Sequence, residues 1–229
     1  MFEMKGLRDA LTKPSHGLEM TQPPAGGNVS MSHAILVTLG VLGCIMEGRQ
    51  AVYVSAPITT GPRFLHWRTG TGSQLTTTDD RYSNEHRRNV VTPNRERVQP
   101  VVRRVREHFG GVVIDPTALD DVPGWTQSDY HLLWVEVVRR YAHTVVFADG
   151  WEFSTGCTHE FLAALQSEAI LLQEDLSALD ARAGVQLIER AIRAMEGASI
   201  PTHPLAESLR EVWLWVEDRE RRTNTWAGE

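Results

Sequence analysis

"TVVFADGWEFSTGCTHEFLAAL", residues 144–165, decides the fold. Thr144–Phe147 is an apolar run with two adjacent valines, and Ala148–Gly156 is a turn rich in Gly and polar groups. Phe161, Leu162 and Leu165 then return at helical spacing. A buried strand that passes through a short turn into a helix is half of a βαβ unit. A connection made only to reverse the chain needs Gly and a cap. This one also carries Trp151, Glu152, Ser154, Thr155 and Glu160.

Outward from that stretch the same alternation repeats. "AVYVSAPIT" (51–59) is a Val-rich strand stopped by Pro57, "VVIDP" (112–116) a second, "HTVVFADG" (143–150) the third and "AILL" (169–172) the fourth. Between them, Val98, Val101, Val102, Val105 and Phe109 recur at helical spacing, with Pro100 expected in the first turn and Gly110-Gly111 at the end. "DVPGWTQSDYHLLWVEVVRRYA" (121–142) holds a turn, a cap at Ser128 or Asp129, and a helix. Ser177 with Asp180 resembles a capping box for a helix through Met195, and Pro204 opens a last amphipathic helix. The expectation is one α/β domain of the flavodoxin- or Rossmann-like kind: a parallel sheet of four to five strands, helices on both faces, and extra N- and C-terminal helices. Residues 1–30 read as a flexible tail and 31–229 as the domain. Within it lie a core at 51–173, an insertion loop at 61–94 and a helical extension at 175–222. Ligands of such sheets bind beyond the carboxyl ends of the strands, where the loops after the first and third strands lie together.

Composition sets bounds. The chain has 229 residues, 41% apolar and 23% charged, and a net charge of −6, which does not favour nucleic-acid or membrane partners. The apolar run Ala34–Met46 is too short to cross a bilayer, which takes about 20 residues, and reads as a buried helix. Two cysteines, Cys44 and Cys157, are too few for a disulfide framework, so a cytoplasmic location is expected. The histidines show no metal spacing: the residue four after His159 is Ala163. No Gly-rich dinucleotide fingerprint follows the first strand, and neither metal nor cofactor is expected.

With a helix starting near Cys157, Glu160 lies in its first turn, where the partial positive charge favours a carboxylate. A lone acid there is most often a helix-start acid. Its company changes the odds: Gly156 permits close backbone approach, and Ser154, Thr155 and the free amides form a polar nest for hydroxyls or a phosphate. Two segments carry a family resemblance. "GWEFSTGCTHE" (150–160) resembles the Gly-Trp-Glu-x-Ser-x-Gly-x-x-x-Glu signature of a nucleoside 2-deoxyribosyltransferase-like family, and "VYVSAPITTG" (52–61) is similar to that family's first strand and loop.

The resemblance covers roughly residues 51–173 and implies cleavage or transfer at the N-glycosidic bond of a nucleoside or nucleotide. It implies Glu160 as the nucleophile of a covalent glycosyl-enzyme, Tyr53 as the phenol that orients it, and Ser154 as a sugar or phosphate contact. Ser55, Pro57, Thr59, Gly61 and Arg63 would bind substrate from the first loop, and Asp149, Gly150, Trp151, Thr155 and Gly156 from the second. The chain departs from the pattern in two places. Ser-Ala-Pro replaces Gly-Pro after the first strand, and Leu133–Val137 lacks the aspartate that many members use to protonate the base. Glu136 is the nearby carboxylate, and Asp129 sits about two turns earlier.

The insertion packs Arg81, His86, Arg87, Arg88, Arg95 and Arg97 into a short span. This is either a solvated charged face or an arginine cluster for nucleotide phosphates. Two rival functions stay open. One is a TIR-like NAD glycohydrolase, because Ser154, Cys157 and Glu160 also follow that fold's strand. The other is a nucleotide-sensing module without chemistry. Trp213 and Trp215 lie two apart and cannot share a helix face, so a homodimer or larger assembly is expected.

Overall fold

The structure, a computed structural model, describes residues 32–46, 48–119 and 122–226; the tail expected at 1–30 lies outside the described residues. In chain order the elements are α1 (His33–Met46), β1 (Ala51–Ser55), α2 (Pro62–Thr69), α3 (Tyr82–His86), a π-turn (Arg87–Val91), α4 (Thr92–Phe109) and β2 (Val112–Ile114). A 3₁₀ turn (Pro116–Ala118), α5 (Gln127–Tyr141), β3 (Ala142–Phe147), a second 3₁₀ turn (Trp151–Phe153) and α6 (Thr155–Gln166) follow. β4 (Ile170–Gln173), α7 (Ala181–Gly197) and α8 (His203–Trp226) complete the chain.

The four strands form one sheet in the order β2-β1-β3-β4, every pairing parallel. This is the doubly wound α/β fold expected, and its strand order reverses between β1 and β3. Because β1 is central, all five of its residues are buried. Tyr53, Val145 and Phe147 turn to one face, where Leu133 and Val137 of α5 and Phe161 of α6 meet them. Val52, Val54 and Val146 turn to the other, against Val98, Val101, Val102 and Val105 of α4. Each fully buried side chain of this size contributes roughly 1.5–3 kcal/mol before ordering entropy is subtracted, so the valine stripe is what holds α4 down. On the first face α7 and α8 extend the core with Ile188, Ile192, Leu205, Leu209 and Val212.

Several expectations need correction. Residues 61–94 are not a loop. They fold into α2, α3, the π-turn and the start of α4, around a small core of Trp67, Leu75 and Val90 flanked by Phe64 and Tyr82. Arg68 Nη1 donates to the carbonyls of Gly72 (2.7 Å) and Leu75 (2.8 Å), which closes the turn after α2. α4 therefore begins at Thr92. Pro93 takes the first-turn place and Pro100 sits inside the helix on its exposed side.

Thr126, not Ser128 or Asp129, caps α5, with Asp129 returning the bond to complete a capping box. Asp180 caps α7 through Ala183 N at 2.7 Å, while Ser177 bonds Asp175 instead. α1 is only half buried. Ile35, Leu39 and Met46 face inward, and among the described residues the helix packs mainly on α5, while Leu36, Val37, Val41 and Ile45 are 49–56% exposed. Trp213 and Trp215 are both half-buried against the main core, with Leu214 exposed between them.

Candidate functional site

The site lies at the carboxyl edge of the sheet, between β1 and β3. Gly150, at φ +87°, turns the chain after β3; a Cβ there would stand 2.4 Å from Pro62 Cδ, so only Gly lets the two loops close on each other. The 3₁₀ turn then returns Trp151 to the core, where its ring lies 4.7 Å from Phe147 and 4.9 Å from Phe161. Ser154, in extended conformation, caps α6 by accepting from Cys157 N at 3.4 Å. One and a half turns on, Glu160 points back toward the end of β1.

There both carboxylate oxygens are held. Tyr53 Oη donates to Oε1 at 2.8 Å and Ser55 Oγ donates to Oε2 at 2.6 Å. The two donors share one face of β1 because they are two residues apart in a strand. Each oxygen keeps a lone pair, and Glu160 lines a cavity of about 520 Å³, a volume typical of small-molecule sites. Burial pushes the Glu160 carboxyl up to about 7, with the Ser55 and Tyr53 hydrogen bonds pulling against it. Burial, and then the Glu160 charge, push the Tyr53 phenol well above its ordinary value, so it stays protonated and donates. Burial and the neighbouring Glu160 likewise push the Cys157 thiol up, which leaves it a poor nucleophile.

Three walls rise from this floor. The first is Thr59, Thr60, Ser154, Thr155 and Gly156, from the loop after β1 and the start of α6. The second is one face of α5: Gln127, Tyr130, His131 and Trp134 follow at helical spacing, and the Trp134 ring lies 6.2 Å from Tyr53. The third comes from the insertion, with Tyr82, His86 and Arg87, together with Arg95 of α4. That wall is tied to the loop after β1. His86 Nε2 donates to Thr59 O at 2.8 Å, and buried Asn94 Nδ2 donates to Ile58 O (3.0 Å) and Thr60 O (2.9 Å). The π-turn at 87–91 places Arg87 and Val91 on the cavity, a common position for such bulges.

The structure gathers some expected site residues and disperses others. Glu160, Tyr53, Ser55, Thr59, Ser154, Thr155 and Gly156 come together. Glu136, expected as the acid, lies off the cavity and pairs with Arg139 (3.1 Å) and Arg140 (2.9 Å). Asp129 is consumed by the α5 cap. Trp151 is a core residue, Arg63 is exposed away from the cavity, and Asp149 pairs with Arg97 at 3.3 Å. Pro57, Gly61 and Gly150 shape the loops without lining the cavity. Of the arginine cluster, Arg87 and Arg95 reach the cavity, whereas Arg81 pairs with Asp79 and Arg88 is exposed elsewhere.

Sequence reasoning missed the α5 wall. Its signal was the 127-130-131-134 spacing, which marks a second face beside the core stripe of Leu133, Val137 and Val138.

Among the described residues no group of three or more His, Cys, Asp or Glu side chains is placed to hold a metal ion, and no helix is long and apolar enough to cross a membrane. No family model, no curated protein and no solved structure matches the chain, so its function has to be argued from the geometry of this site.

Proposed function

We propose that the protein cleaves or transfers at the N-glycosidic bond of a nucleoside or nucleotide, with Glu160 as nucleophile. One observation carries the reading: a buried carboxylate stands at the floor of a cavity with each oxygen fixed by its own hydroxyl donor, Tyr53 and Ser55. Such a group is oriented in advance and still has a lone pair to give. In the first step a Glu160 oxygen bonds the anomeric carbon, the C–N bond breaks and its electron pair leaves with the base, which takes a proton from water. In the second step water or another base attacks the same carbon and releases the carboxylate. The flat rings of Tyr130 and Trp134 suit a base. The hydroxyls of Thr59, Ser154 and Thr155 suit a sugar, and Arg87 and Arg95 suit a phosphate. A cytoplasmic location and an assembly of two or more copies belong to the same proposal; a solution mass showing monomer alone at micromolar concentration would remove the assembly.

The test is a panel of nucleosides, nucleoside monophosphates and NAD, scored for free base. Release by the wild type and none by Glu160→Ala, with the fold intact, is the expected result. Turnover surviving that substitution would end the reading. Nicotinamide as the sole released base would point instead to the NAD-cleaving alternative.

One observation favours a second reading, a nucleotide-sensing module. Among the described residues lining the cavity, Glu160 is the sole carboxylate, so no partner acid stands ready for the leaving base. Tight nucleotide binding with no base released over hours would decide for it.

A further inference from the structure

The missing partner acid directs attention to the other titratable groups of the cavity. His131 lies on the α5 wall, one turn before Trp134, and its Nε2 stands 3.0 Å from where a Cβ on Gly156 would be. It therefore abuts the start of the helix that carries Glu160. The Gln127 amide nitrogen approaches the same Nε2 at 3.2 Å. An amide nitrogen only donates, so Nε2 holds the lone pair and Nδ1 the proton.

Behind His131 lies His159, its ring 6.0 Å away edge to face. Ser208 Oγ lies 2.9 Å from His159 Nε2 and 3.0 Å from Pro204 O. His159 is thus fixed, and α8 is what fixes it.

We propose that His131 is the base of the second half-reaction, its Nε2 taking the proton of the acceptor as that acceptor attacks the sugar carbon bonded to Glu160. The inference rests on the reading of Glu160 as nucleophile. In the step a new bond forms from the acceptor atom, the oxygen of water or a ring nitrogen of a base, to the anomeric carbon, and the ester bond from that carbon to Glu160 breaks with its electron pair going to the carboxylate. The Gln127 amide gives up its bond to Nε2, the acceptor proton moves to that lone pair, and from there to bulk water. His131 suits this direction and not the reverse. Burial, and then His159, hold its imidazole below the ordinary histidine value, while burial holds His159 below it as well. His159 of α6 and Gln127 of its own helix contact the ring, and Glu160, His86, Arg87 and Arg95 line the same cavity. None is a carboxylate placed to retain a proton on the ring except Glu160, which is esterified at that moment. A ring held below the ordinary histidine value is disposed to be neutral and to accept a proton in this step.

Rapid-quench kinetics on His131→Gln, with the best substrate of the panel, separates the two steps. The first-turnover release of base is expected within about threefold of wild type, and steady-state turnover is expected to fall about 10²-fold, the low end for a lost general base. A sugar adduct should accumulate on the peptide holding Glu160. In His131→Ala, added imidazole should restore at least part of the turnover. First turnover and steady state falling together, or neither falling, would overturn the role of His131. Wild-type protein yielding neither base nor adduct would instead overturn the nucleophile reading itself, and this inference with it.

Discussion

The floor of the cavity and its rim are built by different means. The floor is Tyr53, Ser55 and Glu160, held between a fully buried central strand and a capped helix and backed by the main core. The rim is the insertion, resting on a satellite core of Trp67, Leu75 and Val90 and joined to the first loop by His86 and Asn94. Shifting the floor would mean moving the sheet. The rim could change its side chains, or its whole length, without touching the carboxylate. The division places chemistry where packing is least forgiving and substrate choice where packing is local.

Predictions follow from breaking each half. Glu160→Ala should have the largest effect, a loss of base release of roughly six orders of magnitude, the size produced by removing a nucleophile. Next comes stability. The Glu160 carboxyl is raised to about 7 from an ordinary 4.5, so between those values the folded chain binds more protons than the unfolded one. Stability should therefore fall as pH rises from about 5 to about 8, by up to about 3 kcal/mol. Denaturant titrations should show that fall in the wild type and a flatter profile in Glu160→Gln.

Tyr53→Phe removes a hydrogen bond to a charged group, about 1.5–3 kcal/mol, so kcat should drop by one to two orders of magnitude. The same loss raises the Glu160 pKa further, so the acid limb of the kcat/KM profile should move to higher pH than in the wild type. The smallest effect belongs to the rim. Arg87→Ala should raise KM for nucleoside monophosphates about tenfold, leave KM for the matching nucleosides near its original value, and leave kcat unchanged. Equal losses for both substrate types would mean that the rim also positions the floor.

The floor was legible in the sequence because its signals are local. A buried strand, a glycine turn, a cap and a helix period place Ser154, Thr155, Gly156 and Glu160 on one end of one unit, whereas Tyr53 and Ser55 are marked only by the family resemblance of the first strand and loop. The rim was hidden. Its helices are five to eight residues long, and its core residues Trp67, Leu75 and Val90 are too widely spaced to show a period.

Trp151 reads as a site aromatic in the linear motif, yet the turn at 151–153 folds it onto Phe147 and Phe161. Glu136 is the carboxylate nearest the expected position in the linear sequence. Two residues from Trp134 it lies about 200° around the helix, which faces it away from the cavity toward Arg139 and Arg140. The helical face that does meet the cavity carries His131, which a search for a carboxylate passes over.

The central claim concerns one bond, and one measurement addresses it: the peptide mass of Glu160 after acid quench of the protein in its first turnover with a nucleotide that it cleaves. A mass gain equal to the sugar or sugar phosphate, carried on Glu160 and absent from Glu160→Gln, is the result this account predicts. Base released at full rate with no such gain, in the wild type and in His131→Gln alike, would contradict it.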